Sequence, residues 1–457
     1  MLIDFKAGNF KSFRNGFDFS MLSNNRLGDL RYSILEERIG RRDIKALSSS
    51  VIYGPNAAGK STLVNAMSCL KEIVLRGDVE DETTVHSSDR VSNHMSTIPY
   101  AYDGNDDPID FDITFTTDGL LIRYQLSFVI GAFLRESSGR VITFEALSVN
   151  GSPVFTRTAG AVERLDLRPI ASHLNNGVDT GSAQSILSSM CSNVETDTLT
   201  LVTDFNSFCS KSIVSSIKDW FLKRFVVINR FETRFLPEDS MYIRTEDGSD
   251  GPQVARDSAM VRIAMEAGVF GDGYIYLKKE HEGRPQLLSI FRLPDGKTTV
   301  GIDSASIESR GTLRLIHIMP AILCALRDGS TLVVDEFDTS LHPAIVMNIV
   351  SLFHNDDVNR KRAQLIFTTH NPIFLSRGLF RRDEIRFVDH VGDSHESELY
   401  SLADFQANGK ESVRSTTDYI KNYFVSRYGA IKTVDFTDIV KKALWENNVN
   451  VEETERT

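Results

Sequence analysis

The stretch Ser48–Leu70, SSSVIYGPNAAGKSTLVNAMSCL, decides how the rest of the chain is read. Val51, Ile52 and Tyr53 form a short apolar run that predicts a strand. Leu63, Met67 and Leu70 recur at helical spacing and predict a helix. Between them, GPNAAGKST fits the pattern GxxxxGK[ST] with Gly54, Gly59, Lys60 and Ser61 in the fixed places. Glycines let such a loop curl until its N–H groups face an anion at the helix N-terminus. A lysine there reaches the outer phosphates of a nucleotide, and the hydroxyl after it suits Mg²⁺. Lys60 and Ser61 are the candidates for those two roles, with Asn56 and Thr62 completing the loop that would wrap ATP. A chance glycine-rich turn fits the letters too. The strand before and the helix after argue against it.

Two further apolar runs carry polar residues at their ends. TLVVDEFDTSLHP sets Asp335 and Glu336 just past Val334. The first carboxylate suits Mg²⁺ and the second could polarise an attacking water as a general base. An acidic turn, with Asp338 or Thr339 capping the next helix, would have the same letters. LIFTTHNPIFL sets Thr369 and His370 at the end of another run. A histidine there could touch a terminal phosphate or simply bond to backbone. In SIESRGTLRLIHIMPAIL, Ser309 could cap the helix that follows. Ser309, Arg310 and Gly311 could equally form an anion-binding lip, with Arg310 stabilising a transferring phosphate. Spacing alone leaves both readings open.

Composition sets the class. The chain has 457 residues, 41% of them apolar and 25% charged, as in a globular protein that buries a large core. Its net charge of −11 speaks against a wholly basic nucleic-acid binder while allowing a local basic groove. Cys69, Cys191, Cys209 and Cys324 stand far apart, so neither a zinc site nor a disulfide framework is expected, and a reducing cytoplasm is. The opening MLIDFKAGNFKSF is charged and alternating, unlike a secretory signal. No apolar run approaches the roughly 18 residues that cross a bilayer, so no membrane partner is expected.

Along the chain, IDFDITFTTDGLLIRYQLSFVI alternates on both sides of Asp118-Gly119 and predicts a hairpin. Residues 76–96 are polar and predict a loop. AQSILSSMCSNV, NSFCSKSIVSSIKDWFLKRF and DSAMVRIAMEAGV look helical, and FVVINRFETRF looks extended. The expected organisation is residues 1–155 as the first part of a core domain and 156–294 as an inserted, mostly helical subdomain. Residues 295–405 would complete the core, with 406–457 a helical tail. The runs 331–334 and 364–368, apolar throughout and separated by a helix opening at Pro343, predict parallel strands buried on both faces. Lys211, Lys218, Lys223 and Arg224 lie among aromatics and could meet phosphate, although a solvated helix face explains them as well.

Taken together, GPNAAGKST, ESRGT, VVDEFDTSLHP and FTTHNP resemble the ABC/SMC-type ATPase heads. Within these they look most like the bacterial AAA-type ATPases allied to the OLD family, commonly encoded in phage-defence operons. GNFKSF resembles the strand that opens such heads. The resemblance covers roughly residues 1–155 and 295–405. It implies an α/β P-loop NTPase fold of ABC/SMC-head type, with Gly54, Asn56, Gly59, Lys60, Ser61 and Thr62 on ATP, Ser61 and Asp335 on Mg²⁺, and Glu336 and His370 catalytic beside Lys60. It also implies a homodimer in which Ser309, Arg310 and Gly311 of one head close over ATP on the other, a unit from which a larger assembly can be built. The signature departs from the LSGGQ type at Arg310 and Thr312. His342 stands where an aspartate usually ends the following loop, as in OLD-like proteins. Gln125 lies within the hairpin and is not assigned to a glutamine loop.

OLD nucleases fuse such a head to a Toprim domain. No glutamate and DxD pair of that kind is evident here, and the acidic run Asp103–Asp112 reads better as a solvated loop. The expected function is that of an ATPase acting as a sensor or regulator in anti-phage defence, resembling the PARIS-type ATPase subunit. It would control a separately encoded effector, a Toprim-like or HNH nuclease. The alternative is a RecF/SMC-like repair ATPase that acts on DNA directly. A scaffold without turnover is the third class, against which Lys60 and Glu336 stand.

Overall fold

A computed structural model describes residues 1–24, 30–80, 100, 107–130, 140–158, 160–190, 196–229, 253–255, 266, 273–278, 286–376, 378–392, 394–403, 406–407, 411–413, 417–431 and 436–441. The expected loop over 76–96, from 81 onward, and nearly all of the helix expected over 257–269 lie outside these, as do 101–106 and the end of the tail beyond 441.

Two sheets make the framework. The first, antiparallel, contains β1 (Leu2–Gly8) and β2 (Phe17–Ser20). A separate two-stranded ribbon follows, β3 (Ile34–Ile39) and β4 (Arg42–Leu47). Then come β5 (Ser49–Tyr53) and α1 (Lys60–Arg76), as the opening stretch predicts. The hairpin β6 (Ile109–Thr117) and β7 (Leu120–Val129) turns at Asp118 and Gly119, both with positive φ. With β8 (Val141–Val149), β9 (Ser152–Thr158) and β10 (Ala161–Leu165) it completes an antiparallel sheet of order β10-β9-β8-β7-β6-β1-β2.

Among the described residues between Arg168 and Arg224 there are several short helical elements, including α2 (Ala183–Met190) and α3 (Lys211–Asp219). Periodicity predicts a mostly helical insert up to 294, but the described residues are more mixed. β11 (Phe225–Ile228) pairs in parallel with β16 (Thr331–Val334), so it is an edge strand of the core rather than part of an insert. Beyond it, β12 (Gln253–Ala255), β13 (Gly273–Lys278), β14 (Gln286–Arg292) and β15 (Thr299–Asp303) form a four-stranded antiparallel sheet. Four apolar residues such as FVVI suit either period, and a partner a hundred positions away settles which one they adopt.

The second sheet has the order β11-β16-β17-β5-β18-β19, with β17 (Gln364–Thr368), β18 (Ile385–His390) and an antiparallel edge, β19 (Ser397–Ser401). Its central strands β5, β16 and β17 are buried throughout, as expected for 331–334 and 364–368. Ile52, Val333, Ile366 and Val388 pack with Leu63, Met67 and Leu70 of α1 and with the phenylalanines of the first sheet. Tyr53, Leu332, Val334, Phe367 and Phe387 pack on the other side, against a core that includes Ile318, Ile322 and Val350. Those three belong to two further helices. After the single turn α4 (Ser304–Ile307) comes α5 (Arg310–Asp328), and α6 (Pro343–His354) follows β16. Two short helices, α7 (Tyr419–Phe424) and α8 (Thr437–Lys441), lie in the tail. Among the described residues, no helix is long and apolar enough to cross a membrane.

The cations of the α3 region sit beside a packed core. Trp220 stacks on Phe115 with centroids 3.9 Å apart and on Phe225 at 4.9 Å. Lys223 pairs with Asp219 and Arg224 with Asp118. The aromatics there are buried in protein and not offered to bases, which favours the solvated-face reading.

Candidate nucleotide site

The parallel order puts β17 between β5 and β16. The loops after all three strands therefore meet at one end of the sheet, where open α/β folds hold ligands. The loop after β5 is shaped by close approaches. A Cβ on Gly54 would stand 2.3 Å from the Val388 carbonyl oxygen, and one on Gly59 2.6 Å from Ser397 Oγ. Gly59 has φ 112°, a value that side chains rarely allow. Ser397 Oγ donates to the Ala58 carbonyl at 2.6 Å, and Ser397 N to the Ser12 carbonyl at 2.7 Å. The loop is thus braced by β19 and by the GNFKSF segment.

No side chain caps α1. Its first N–H groups and its dipole are left for an anion. Lys60 is 6% exposed, and its Nζ donates to the Gly54 and Pro55 carbonyls at 2.7 and 2.9 Å. Burial lowers its ammonium to about 8, against the opposing pull of Asp335, Glu336 and Asp338. An ammonium so placed gains from a polyphosphate that replaces the carbonyls and adds negative charge. Ser61, Asn56 and Ala57 are exposed at the rim, with Thr62 half-buried.

Asp335 and Glu336 follow β16, as expected. Thr368, the last residue of β17, donates from Oγ1 to Asp335 Oδ1 at 2.5 Å and accepts from Glu336 N at 2.7 Å. One hydroxyl thereby fixes both. Glu336 is exposed and left-handed, with φ 47°. His370 is exposed beyond the same strand, and partial burial together with the Lys60 charge holds its ring below the usual histidine value. Its neutral ring can donate one hydrogen bond without adding positive charge. Among the described residues no three His, Cys, Asp or Glu side chains converge as a metal site. A cation here would be held by Ser61, Asp335 and the oxygens of the nucleotide itself, and this donor set of hydroxyl, carboxylate and phosphate suits Mg²⁺.

Ser309 caps α5, its Oγ accepting from Thr312 N at 3.1 Å. The capping reading therefore holds for its hydroxyl. Ser309 and Arg310 are both exposed, and no hydrogen bond or ion pair ties Arg310 to another described residue. Gly311 has a reason within its own chain, since a Cβ there would stand 2.5 Å from the Ser340 carbonyl oxygen. His342 caps α6, its Nδ1 accepting from Ala344 N at 3.2 Å. Gln125 lies on β7 and bonds to Asp112, so no glutamine loop is formed there.

Two residues escape the motif reading. Asp338, weighed only as a cap, is half-buried, and its charge acts on Lys60, Arg314 and His370. Burial raises its carboxyl, and a bond from Thr369 opposes that. Arg314 is 9% exposed and donates from Nη2 to the Glu336 carbonyl at 2.8 Å. A signal for it existed. It lies on the α5 stripe of Ile318, Ala321 and Ala325, and a guanidinium on a buried stripe needs an acceptor nearby.

A phosphate-cradling loop between strand and helix, with a carboxylate pair two strands away in a parallel sheet, defines a P-loop NTPase of the α/β class. The family described as "AAA domain, putative AbiEii toxin, Type IV TA system" matches residues 49–173 and 223–376, more than half of the chain. The chain belongs to that family. Among solved structures, the SMC head domain from Thermotoga maritima is similar over 88% of this chain and 98% of that one, at 14% identity and a TM-score of 0.35. Likeness at that level says nothing of activity or partners. Among curated proteins, none matches the chain.

Proposed function

We propose that the chain hydrolyses ATP with Mg²⁺ and uses the cycle as a sensor or regulator in abortive infection, controlling a separately encoded effector. The observation that carries the ATPase reading is the convergence of Lys60, Asp335, Glu336 and His370 on one uncapped helix N-terminus. Gly54, Asn56, Gly59, Lys60, Ser61 and Thr62 would wrap the phosphates. Mg²⁺, held by Ser61 and Asp335, would neutralise charge on the oxygens it touches. Glu336 would take a proton from the attacking water as the water oxygen bonds to the γ-phosphorus. The bond from that phosphorus to the bridging oxygen breaks, and its electron pair stays with ADP. His370 would hold the terminal phosphate and register its loss.

The defence role rests on the family's abortive-infection description and on the resemblance to OLD-allied and PARIS-type ATPases. In that reading two copies pair head-to-tail, and the exposed Ser309 and Arg310 of one reach the nucleotide of the other. The effector would be a Toprim-like or HNH nuclease, held from a cytoplasmic ATPase. ATP turnover by the purified chain tests the first part, with Glu336→Gln expected to bind ATP without hydrolysing it. Co-purification with the product of an adjacent gene, released during infection, tests the second. If DNA alone stimulates turnover in a salt-dependent way, the repair reading replaces the sensor.

A further inference from the structure

The loop Asp335–Leu341 contains two left-handed residues that are not glycine, Glu336 with φ 47° and Ser340 with φ 64°. Such conformations persist where their surroundings over-determine them. Both are gripped by the same helix of the same chain. At the start of α5, Gly311 lies flush against the Ser340 carbonyl, where a Cβ would be 2.5 Å from the oxygen. One turn further on, Arg314 donates to the Glu336 carbonyl at 2.8 Å. From the opposite flank, Thr368 Oγ1 accepts from Glu336 N. The peptide before Glu336 Cα is therefore pinned by β17. The peptide after it is pinned by β17 through Phe337 N, which donates to the Thr368 carbonyl at 3.1 Å, and its carbonyl is shared between Thr339 N at 3.2 Å and Arg314, the hold that α5 adds.

We propose that Arg314 is the positioning residue for Glu336: its hold on the carbonyl keeps Glu336 left-handed, with the carboxylate on the Lys60 side. Charge supports the geometry, because Glu336 and Asp338 both face Arg314 and oppose the effect of its burial. The inference deepens the ATPase reading. The resemblance gives the tip of α5 work in a partner's site, whereas Arg314 gives its first turn work in its own. A contact that shifts Ser309 or Arg310 then moves the carboxylate that activates water.

The test compares the full-length wild type with Arg314→Ala and Arg314→Lys by amide hydrogen exchange and by ATPase kinetics. In Arg314→Ala the amides of 336–341 should exchange about tenfold faster or more, with those of 58–64 unchanged. The kcat should fall about tenfold or more while KM moves less than about twofold. Arg314→Lys, with one donor for the same carbonyl, should recover part of both. Wild-type exchange over 336–341 in folded Arg314→Ala overturns the proposal. So does a uniform rise over the whole chain that Arg314→Lys shares, since that marks a merely structural role. If the wild type itself does not hydrolyse ATP, the ATPase reading falls, and the exchange pattern still decides what Arg314 holds.

Discussion

The two ends of the parallel sheet are built from the same residue types and used in opposite ways. At the N-terminal end, Ser49, Gln364 and Glu384 are fully buried. Gln364 accepts from Leu2 N at 2.7 Å and from Thr331 Oγ1 at 2.8 Å, and donates to the carbonyls of Leu2 and Leu47 at 3.0 and 3.1 Å. Glu384 accepts from Ser49 Oγ at 2.9 Å and from Arg381 N at 2.7 Å, and His354 closes on Ser49 at 2.9 Å. At the C-terminal end, Glu336 and His370 are exposed, and Lys60 bonds only to carbonyls of its own loop. One end spends its polar groups on joining the two sheets. The other leaves Glu336 and His370 exposed, where the proposed nucleotide would meet them. Buried polarity is thus structural where every partner is internal and functional where partners are missing.

Substitutions at each end should separate accordingly. Glu336→Gln should lower ATP turnover about a thousandfold with nucleotide affinity kept, read by phosphate release and by binding of a fluorescent nucleotide. At the closed end, Gln364→Leu strands the Leu2 and Leu47 backbone groups. A denaturant melt should show about 3 kcal/mol of lost stability, with kcat per folded molecule unchanged. Lost turnover without lost stability there would break the contrast. Thr368→Val, at the open end, keeps shape but frees Asp335 and Glu336 N. It should cost about thirtyfold in kcat with little change in melting.

The smallest expected effect is one of pH. With Lys60 lowered to about 8 in the free protein and raised by bound phosphate, ATP affinity should fall about tenfold from pH 7 to 9. Calorimetry in buffers of different ionisation heat should show proton uptake on binding near pH 8. The sign for folding is the reverse of the usual lysine case. The folded state binds fewer protons than the unfolded chain between about 8 and 10.5, so the contribution of Lys60 to stability rises with pH over that window.

What could be read from sequence follows how local each signal is. The loop at Gly54–Ser61, the Asp118-Gly119 turn and the two-faced strands at 331–334 and 364–368 are written in consecutive letters. The edge strand Phe225–Ile228 is not, because its identity comes from pairing with Thr331–Val334. Nor is the four-stranded sheet of β12–β15, most of which falls within the stretch 156–294 expected to be a mostly helical insert. Asp338 could be taken for a cap because a carboxylate after a strand looks the same whether it meets an amide or an ammonium. Gly311 drew attention as part of an anion lip, while its packing against Ser340 depends on a loop some thirty residues on. Chemistry that one short motif supplies was visible, and chemistry assembled across the fold was not.

The bracing of the phosphate loop has a consequence for synthesis. Gly54 seats against Val388, and Ala58 is held by Ser397, more than three hundred residues later in the chain. A nascent polypeptide that has displayed only its first two hundred residues owns the letters of the nucleotide motif but not its shape. The cradle becomes complete when β18 and β19 clear the ribosome. Chains that end before Val388 lack both braces, and should bind nucleotide more weakly than the full chain if the proposed site is right.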